Sequence, residues 1–275
     1  MTIRTILLPS LTITVGLLGT TVGSSATSFE EPDEVTEQCL SEGELLKKEE
    51  TLDGVTRPEL YLIECDGGRR HALVKRFHEE RRGITRFSDG KWEMNFSDSF
   101  RYERAAYLLD RELGLNMVPV AVVRKVGRSE TGVIEWIEDA SHVDQSPHQP
   151  SGGERAALAQ QKAIMNLFDA LICNTDRNLG NYLVDDSDWR LYLIDHSRAF
   201  RVVSELPDGF ADNLIRVPRT LYKRLEQLNE SSLTALLGDL LGAAQIESLL
   251  ERRDRILRKL DRDRAKMGDE VVFTS

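Results

Sequence analysis

Between residues 45 and 77 the chain breaks into three short runs, 45–52, 59–65 and 71–77, divided by Asp53-Gly54 and Asp66-Gly67-Gly68. An Asp-Gly pair tolerates the positive φ that a tight hairpin turn needs, so alternating runs joined in this way pair as antiparallel neighbours. The pattern predicts three meandering strands at the start of the folded region.

The periodicity then changes. Residues 78–97 are charged and punctuated by glycine, with Trp92 and Phe96 as isolated apolar points, and read as an ordered surface insertion. From 99 to 113 the apolar residues Phe100, Ala105, Ala106, Leu108, Leu109 and Leu113 recur at helical spacing, and Gly114 follows as a C-cap. Two more strands are predicted at 118–125 and 132–137. Residues 141–153, rich in Ser, Gln, Pro and His, form a connection. A helix follows over 155–173, and after Asp195 the chain is largely helical, at 221–228, 231–241 and 245–267. Strands, a helix and strands, then a linker and helices, describe an α+β protein with a β-rich first lobe and a helical second lobe.

Composition narrows the function classes. The chain has 275 residues, 40% of them apolar, which is enough to bury a core without metal or disulfide support. Thirty-six basic residues against forty-six acidic ones give a formal charge of −10, which argues against a nucleic-acid partner. The clusters Lys75-Arg76 and Arg81-Arg82 read as a solvated face. Cys39, Cys65 and Cys173 form no CxxC pair, so zinc is disfavoured, and at most one bridge forms.

Arg4, an apolar stretch over 6–22 and Gly23-Ser24-Ser25-Ala26 have the make-up of a signal peptide over 1–26. An uncleaved anchor and a misassigned start are the alternatives, the latter leaving the protein cytoplasmic. Pro9 and four threonines make the stretch a poor membrane anchor, and no other segment reads as an integral membrane domain. The acidic residues after it, 27–40, read as a linker. The lobes are then assigned to 41–139 and 140–275.

The chemistry concentrates in 168–200. A helix ends near Cys173 in a loop rich in Asp and Asn. A short strand over 182–184 then leads through an acidic turn to another over 191–194, ending on Asp195. Asp176 and Asn181 stand five apart. Phosphoryl transfer needs a carboxylate for the attacking hydroxyl and oxygen ligands for the cations on the nucleotide phosphates, and this spacing supplies both. Taken alone, Asp176 and Asn181 equally suit a helix cap and an Asx turn. Asp195, Lys75 and Glu103 in register favour a nucleotide site. A metal phosphohydrolase is disfavoured because the order is Asp195-His196 and the other histidines lie upstream.

These motifs resemble the atypical kinases, a group that includes the phosphatidylinositol 3-/4-kinases, the HipA-type kinases and the secretory kinases of the four-jointed and Golgi casein-kinase type, here in a bacterial member. The resemblance rests on Asn174, Asp176, Arg177 and Asn181, then Ile194, Asp195, Ala199 and Phe200. It extends to Glu103 through Leu115 with Val118-Pro119, and to Ala72-Leu73-Val74-Lys75. It implies a two-lobed protein-kinase-like fold that uses ATP and magnesium. Lys75 would position the phosphates, held by Glu103, while Asn181 and Asp195 bind metal and Asp176 orients the acceptor. Trp136 and Ile137 stand where a hinge would meet adenine. The chain departs from the pattern at Gly54-Val55-Thr56, where the Thr56 hydroxyl replaces a glycine-rich phosphate loop. It departs again at Asn178, and at Asp195-His196-Ser197 in place of Asp-Phe-Gly. The acceptor is a hydroxyl on protein, lipid or sugar. A pseudokinase scaffold and a nucleotidyl transferase are the alternatives.

Overall fold

The computed structural model describes residues 33–52, 57–81, 83–87, 90, 92–143, 145 and 148–274. The expected signal segment, the first hairpin turn and Thr56 lie outside them.

The acidic stretch expected as a linker instead contains a helix, α1 (Asp33–Glu42). Asp33 and Glu34 in its first turn complement the helix dipole, and Thr36, Cys39 and Leu40, spaced at helical intervals, are buried. With only three of ten residues facing inward, the period is too sparse to stand out in sequence.

Three strands follow, β1 (Glu44–Thr51), β2 (Glu59–Cys65) and β3 (Gly68–Lys75). The insertion consists of two small hairpins, one inside the other. Strand β4 (His78–Glu80) pairs with β7 (Ser97–Ser99), and between them β5 (Ile84–Arg86) pairs with β6 (Trp92–Met94). Helix α2 (Arg101–Leu113) leads to β8 (Ala121–Val126) and β9 (Ser129–Glu135). The main sheet has the order β1-β2-β3-β9-β8, all antiparallel. Ile63, Ala72, Val74, Val122 and Val133 share one face by register and are buried where α1 and α2 pack. Leu73, Ala121 and Ile134 share the other face and line a cleft.

Gly114 ends α2 at φ 65°, a left-handed conformation that glycine adopts without steric cost. Asp110 then organises the turn into β8. Fully buried, its Oδ1 accepts from the amides of Met117 (3.0 Å) and Val118 (3.3 Å). Burial pushes its carboxyl up to about 6, against the pull of Arg111 and those amides.

Strand β10 (Ala140–His142) lies in the segment expected as an irregular connection. Three residues carry no readable period, and the strand forms because β11 offers it an edge. Helix α3 (Gly152–Ile172) opens with a capping box, the Ser151 amide donating to Glu154 at 2.6 Å. Strands β11 (Tyr182–Asp185) and β12 (Leu191–Leu193) complete a three-stranded sheet. The remainder comprises β13 (Val217–Pro218), α4 (Arg219–Gln227), α5 (Glu230–Leu237), α6 (Ala243–Met267), α7 (Asp269–Val272) and β14 (Phe273–Thr274). No helix among the described residues is long and apolar enough to cross a membrane.

Helix α6 packs on α3 and buries Arg252 completely. Its guanidinium donates to the carbonyls of Leu171 (2.7 Å), Arg201 (3.2 Å) and Val203. Three carbonyls from the segments on either side of the Asp-Asn loop are thereby held by one side chain.

Cys39 and Cys65 form a disulfide that joins α1 to β2, and Cys173 is free and buried. The bond closes a loop of 26 residues in sequence separation. A loop of that size stabilises by about 3 kcal/mol in the chain-entropy model. Cys39→Ser with Cys65→Ser should lower the thermal midpoint by several degrees in oxidising buffer. A midpoint equal to that of the parent would show that packing alone holds α1.

Candidate nucleotide site

The cleft is built from the underside of the main sheet, the connection after β9 and the β11–β12 hairpin. It contains about 480 Å³ of space. Its walls are apolar at one end, with Leu73, Ile134, Trp136, Ile137, Leu183 and Leu193. Lys75, Glu103 and Asp195 form the other end. An apolar cleft that ends in charge suits a ligand with an apolar ring system and an anionic tail.

Lys75 closes β3, in register with Gly132 of β9, and is buried rather than part of a solvated basic face. Its Nζ donates to Glu103 Oε1 at 2.6 Å and to Asp195 Oδ1 at 2.8 Å. Burial works against both charges. The two carboxylates nevertheless hold the ammonium above its ordinary range, and Lys75 with His196 holds Glu103 well below the usual carboxylate range. Glu103 can reach Lys75 because it sits in the first turn of α2, on the side that packs toward the sheet.

Both Glu103 oxygens are committed. Oε2 accepts from the His196 amide (3.1 Å) and faces the His196 ring at Nδ1 (3.3 Å). On the other side of that ring, Arg177 Nη2 lies 3.1 Å from Nε2. A guanidinium only donates, so Nε2 accepts and Nδ1 carries the hydrogen toward Glu103.

Arg177 organises the loop. It grips both oxygens of Asp169 at 2.9 Å and donates to the carbonyls of Ile194 (2.7 Å) and Asn181. Asn174 donates to Asp169 Oδ1 at 3.0 Å and accepts from the Asp176 amide at 3.2 Å. Asn181 Nδ2 donates to the Asp176 carbonyl at 2.8 Å, which leaves its oxygen for another partner. The Asp176 side chain itself is exposed on the loop. Asp195 has φ 59°, a left-handed backbone that non-glycine residues adopt mainly where the surroundings enforce it.

Sequence reasoning missed Asp98, the central residue of β7, and took its surroundings for surface. It is 5% exposed and faces Asp195, Lys75, Ser197 and Arg198. Strand β7 is fixed to this segment by a backbone bond, the Ser99 amide donating to the Ser197 carbonyl at 2.8 Å. Asp98 Oδ1 has no hydrogen-bond partner among the described residues. Burial, reinforced by Asp195, pushes its carboxyl up to about 6 despite Ser197 and Arg198. A buried carboxylate oxygen without a donor is a cost that a bound cation would offset. The signal available in sequence was its place five residues before Glu103, which only the structure makes meaningful.

No protein-family model matches the chain, and no curated protein sequence matches it. Solved structures do. A Golgi casein kinase aligns over 88% of this chain and 77% of its own, with a TM-score of 0.61 at 15% identity. Hydra Fam20, solved with sugar, aligns over 89% and 93%, with a TM-score of 0.64 at 13% identity. A Golgi casein kinase with Mn/ADP bound aligns over 88% and 78%, with a TM-score of 0.59 at 15% identity. The fold is that of the atypical kinases. In that fold the main sheet and α2 form the first lobe's side of the cleft, and the Asp169–Asp195 region forms the second lobe's side.

The Glu103 carboxylate gives the kinase fold a pH signature. Its folded value lies below the ordinary 4.5, so its stabilisation is present above that pH and is lost as pH falls below it. Urea-denaturation midpoints measured down through the acid range should show this loss. Glu103→Gln should flatten that limb and cost a few kcal/mol at neutral pH, because it strips the buried ammonium of a charged partner. An unchanged acid limb in the variant would mean that other carboxylates carry it.

Proposed function

We propose that the protein is an ATP- and magnesium-dependent phosphotransferase acting on a hydroxyl acceptor. The observation that carries the reading is Lys75, held at 2.6 Å by Glu103 and at 2.8 Å by Asp195 at the charged end of an apolar cleft. A buried, doubly anchored ammonium there offers a fixed positive charge for phosphate oxygens. Trp136 and Ile137 line the apolar end, where their backbone would meet a nucleobase edge.

The donor set suits a hard divalent cation. Asp195, the Asn181 side-chain oxygen and the unpartnered Asp98 oxygen are hard ligands, and a structural neighbour was solved with manganese and ADP. These residues would hold the cation, which supplies charge neutralisation across the phosphates. Asp176, exposed on its loop, would orient the acceptor hydroxyl and take its proton at a carboxylate oxygen. Arg177, paired to Asp169, fixes the loop rather than touching substrate. Most of the rate enhancement then comes from positioning and preorganised charge. The disulfide between Cys39 and Cys65 supports export to an oxidising compartment.

Asp176→Ala should abolish transfer of the γ-phosphate while leaving the thermal midpoint within a few degrees, and Asp195→Ala should abolish it too, with a lower midpoint because the buried Lys75 ammonium loses one of its two carboxylates. Full activity in Asp195→Ala would sink the reading. Calorimetric titration with magnesium-ATP separates a silent scaffold, which binds without transfer, from an enzyme. Labelled α-phosphate on the product would reveal nucleotidyl transfer instead.

Asp98→Asn should raise the magnesium or manganese concentration needed for half-maximal nucleotide binding by roughly tenfold, the cost of one charged ligand. Binding of nucleotide without metal should not change. Equal metal dependence in both proteins would remove Asp98 from the centre.

A further inference from the structure

The inner hairpin of the insertion is inside out. On one face of β5–β6, Thr85 is buried and Glu93 is half-buried, and Glu93 pairs with Arg198 and, at 2.7 Å, with Arg201. On the other face Ile84 stands opposite Met94, and Arg86 stands opposite Trp92. Ile84 is 62% exposed, Trp92 67% and Met94 49%. Water favours the reverse arrangement, with the apolar side chains inward. A one-residue slip of either strand would exchange the faces, so the two arginines that grip Glu93 select the orientation that exposes the apolar side.

The surrounding sequence is also locally basic. Arg81 pairs with Glu79 at 2.6 Å and Glu93 faces inward, which leaves Arg82, Arg86 and Lys91 against Asp89 around the hairpin, in a chain of net charge −10. An occupant of the outer face must therefore offer both negative charge and apolar depth.

Size chooses between the candidates. A stable protein partner covers roughly 800 Å² on each side, more than three side chains on a ribbon of two three-residue strands present. Shallow insertion into a bilayer needs less. Tryptophan settles at the boundary of headgroups and acyl chains, and nearby basic residues add attraction to an anionic leaflet.

We propose that the β5–β6 hairpin docks on an anionic lipid bilayer, with Trp92, Ile84 and Met94 entering the interface and Arg86 meeting headgroups. Through Glu93 the docked ribbon is tied to the segment that follows Asp195, so membrane contact and this wall of the cleft are mechanically joined. The inference stands whether or not the cleft transfers phosphate.

The test is co-sedimentation of the full chain with phosphatidylcholine vesicles prepared with and without phosphatidylserine. Binding should require the anionic lipid and weaken with added salt. It should fall roughly tenfold in a Trp92→Ala, Ile84→Ser double variant, given the apolar area removed, and fall again in Arg86→Glu. Thermal midpoints should stay put, because all three side chains are exposed. The apolar stretch over 6–22 is common to every variant, so the difference between them reports the hairpin. Equal sedimentation of parent and double variant would overturn the proposal. So would loss of polyglutamate binding in the variants with vesicle binding intact, which would assign the face to an acidic protein.

Discussion

A lysine and a glutamate taken out of water are tolerable only in close register, and the Lys75–Glu103 pair imposes that demand on everything around it. Strand β3 must end where it does, and α2 must present its first turn to the sheet at a fixed distance. The braces on α2 follow from this need. Asp33 pairs with Arg111 at 2.5 Å, and Glu37 accepts from Tyr107 at 2.7 Å and pairs with Arg104 at 2.9 Å. All three contacts come from α1, which the Cys39–Cys65 bond fastens to β2. The N-terminal helix is thus a back-stop for the helix that carries Glu103.

The second lobe solves a similar problem with Arg177. Its partner Asp169 lies near the end of α3, and the carbonyls it caps belong to the loop and to the strand before Asp195. Besides Trp189 in the β11–β12 turn, Cys173, Asp195 and Phe200 in this region have left-handed backbones. Such conformations persist where surrounding bonds over-determine them, and Arg177 with Arg252 supplies those bonds. A polar loop can therefore present Asp176 outward without losing its own shape.

Much of this was legible in the sequence because it depended on period and turn chemistry. The first three strands of the main sheet announced themselves by alternation between Asp-Gly turns, and α2 by its apolar spacing and Gly114. Lys75, Glu103 and Asp195 were put forward by motif and prove to be neighbours. What was not legible depends on distant partners. Helix α1 has too few inward residues to show a period and is defined by its contacts with the sheet and α2. Asp98 sits at the edge of a charged insertion whose composition reads as solvated, and comes beside Lys75 and Asp195 only when β7 is bonded to Ser197. His196 looked like a mere departure from a familiar tripeptide. Its role depends on Arg177 and Glu103, 19 and 93 residues away in sequence. The phosphate-loop reading of Thr56 lies outside the described residues.

The chain of contacts Lys75–Glu103–His196–Arg177–Asp169 runs unbroken from the sheet to the helix beneath the loop. Each link is polar and sheltered from water, and Glu103 spends one oxygen on each lobe. Swinging the lobes apart would strand His196 and Glu103 in the same movement, so separation carries the cost of unpairing both. The residues that fix Lys75 at the cleft are thus the same ones that clasp its two halves together.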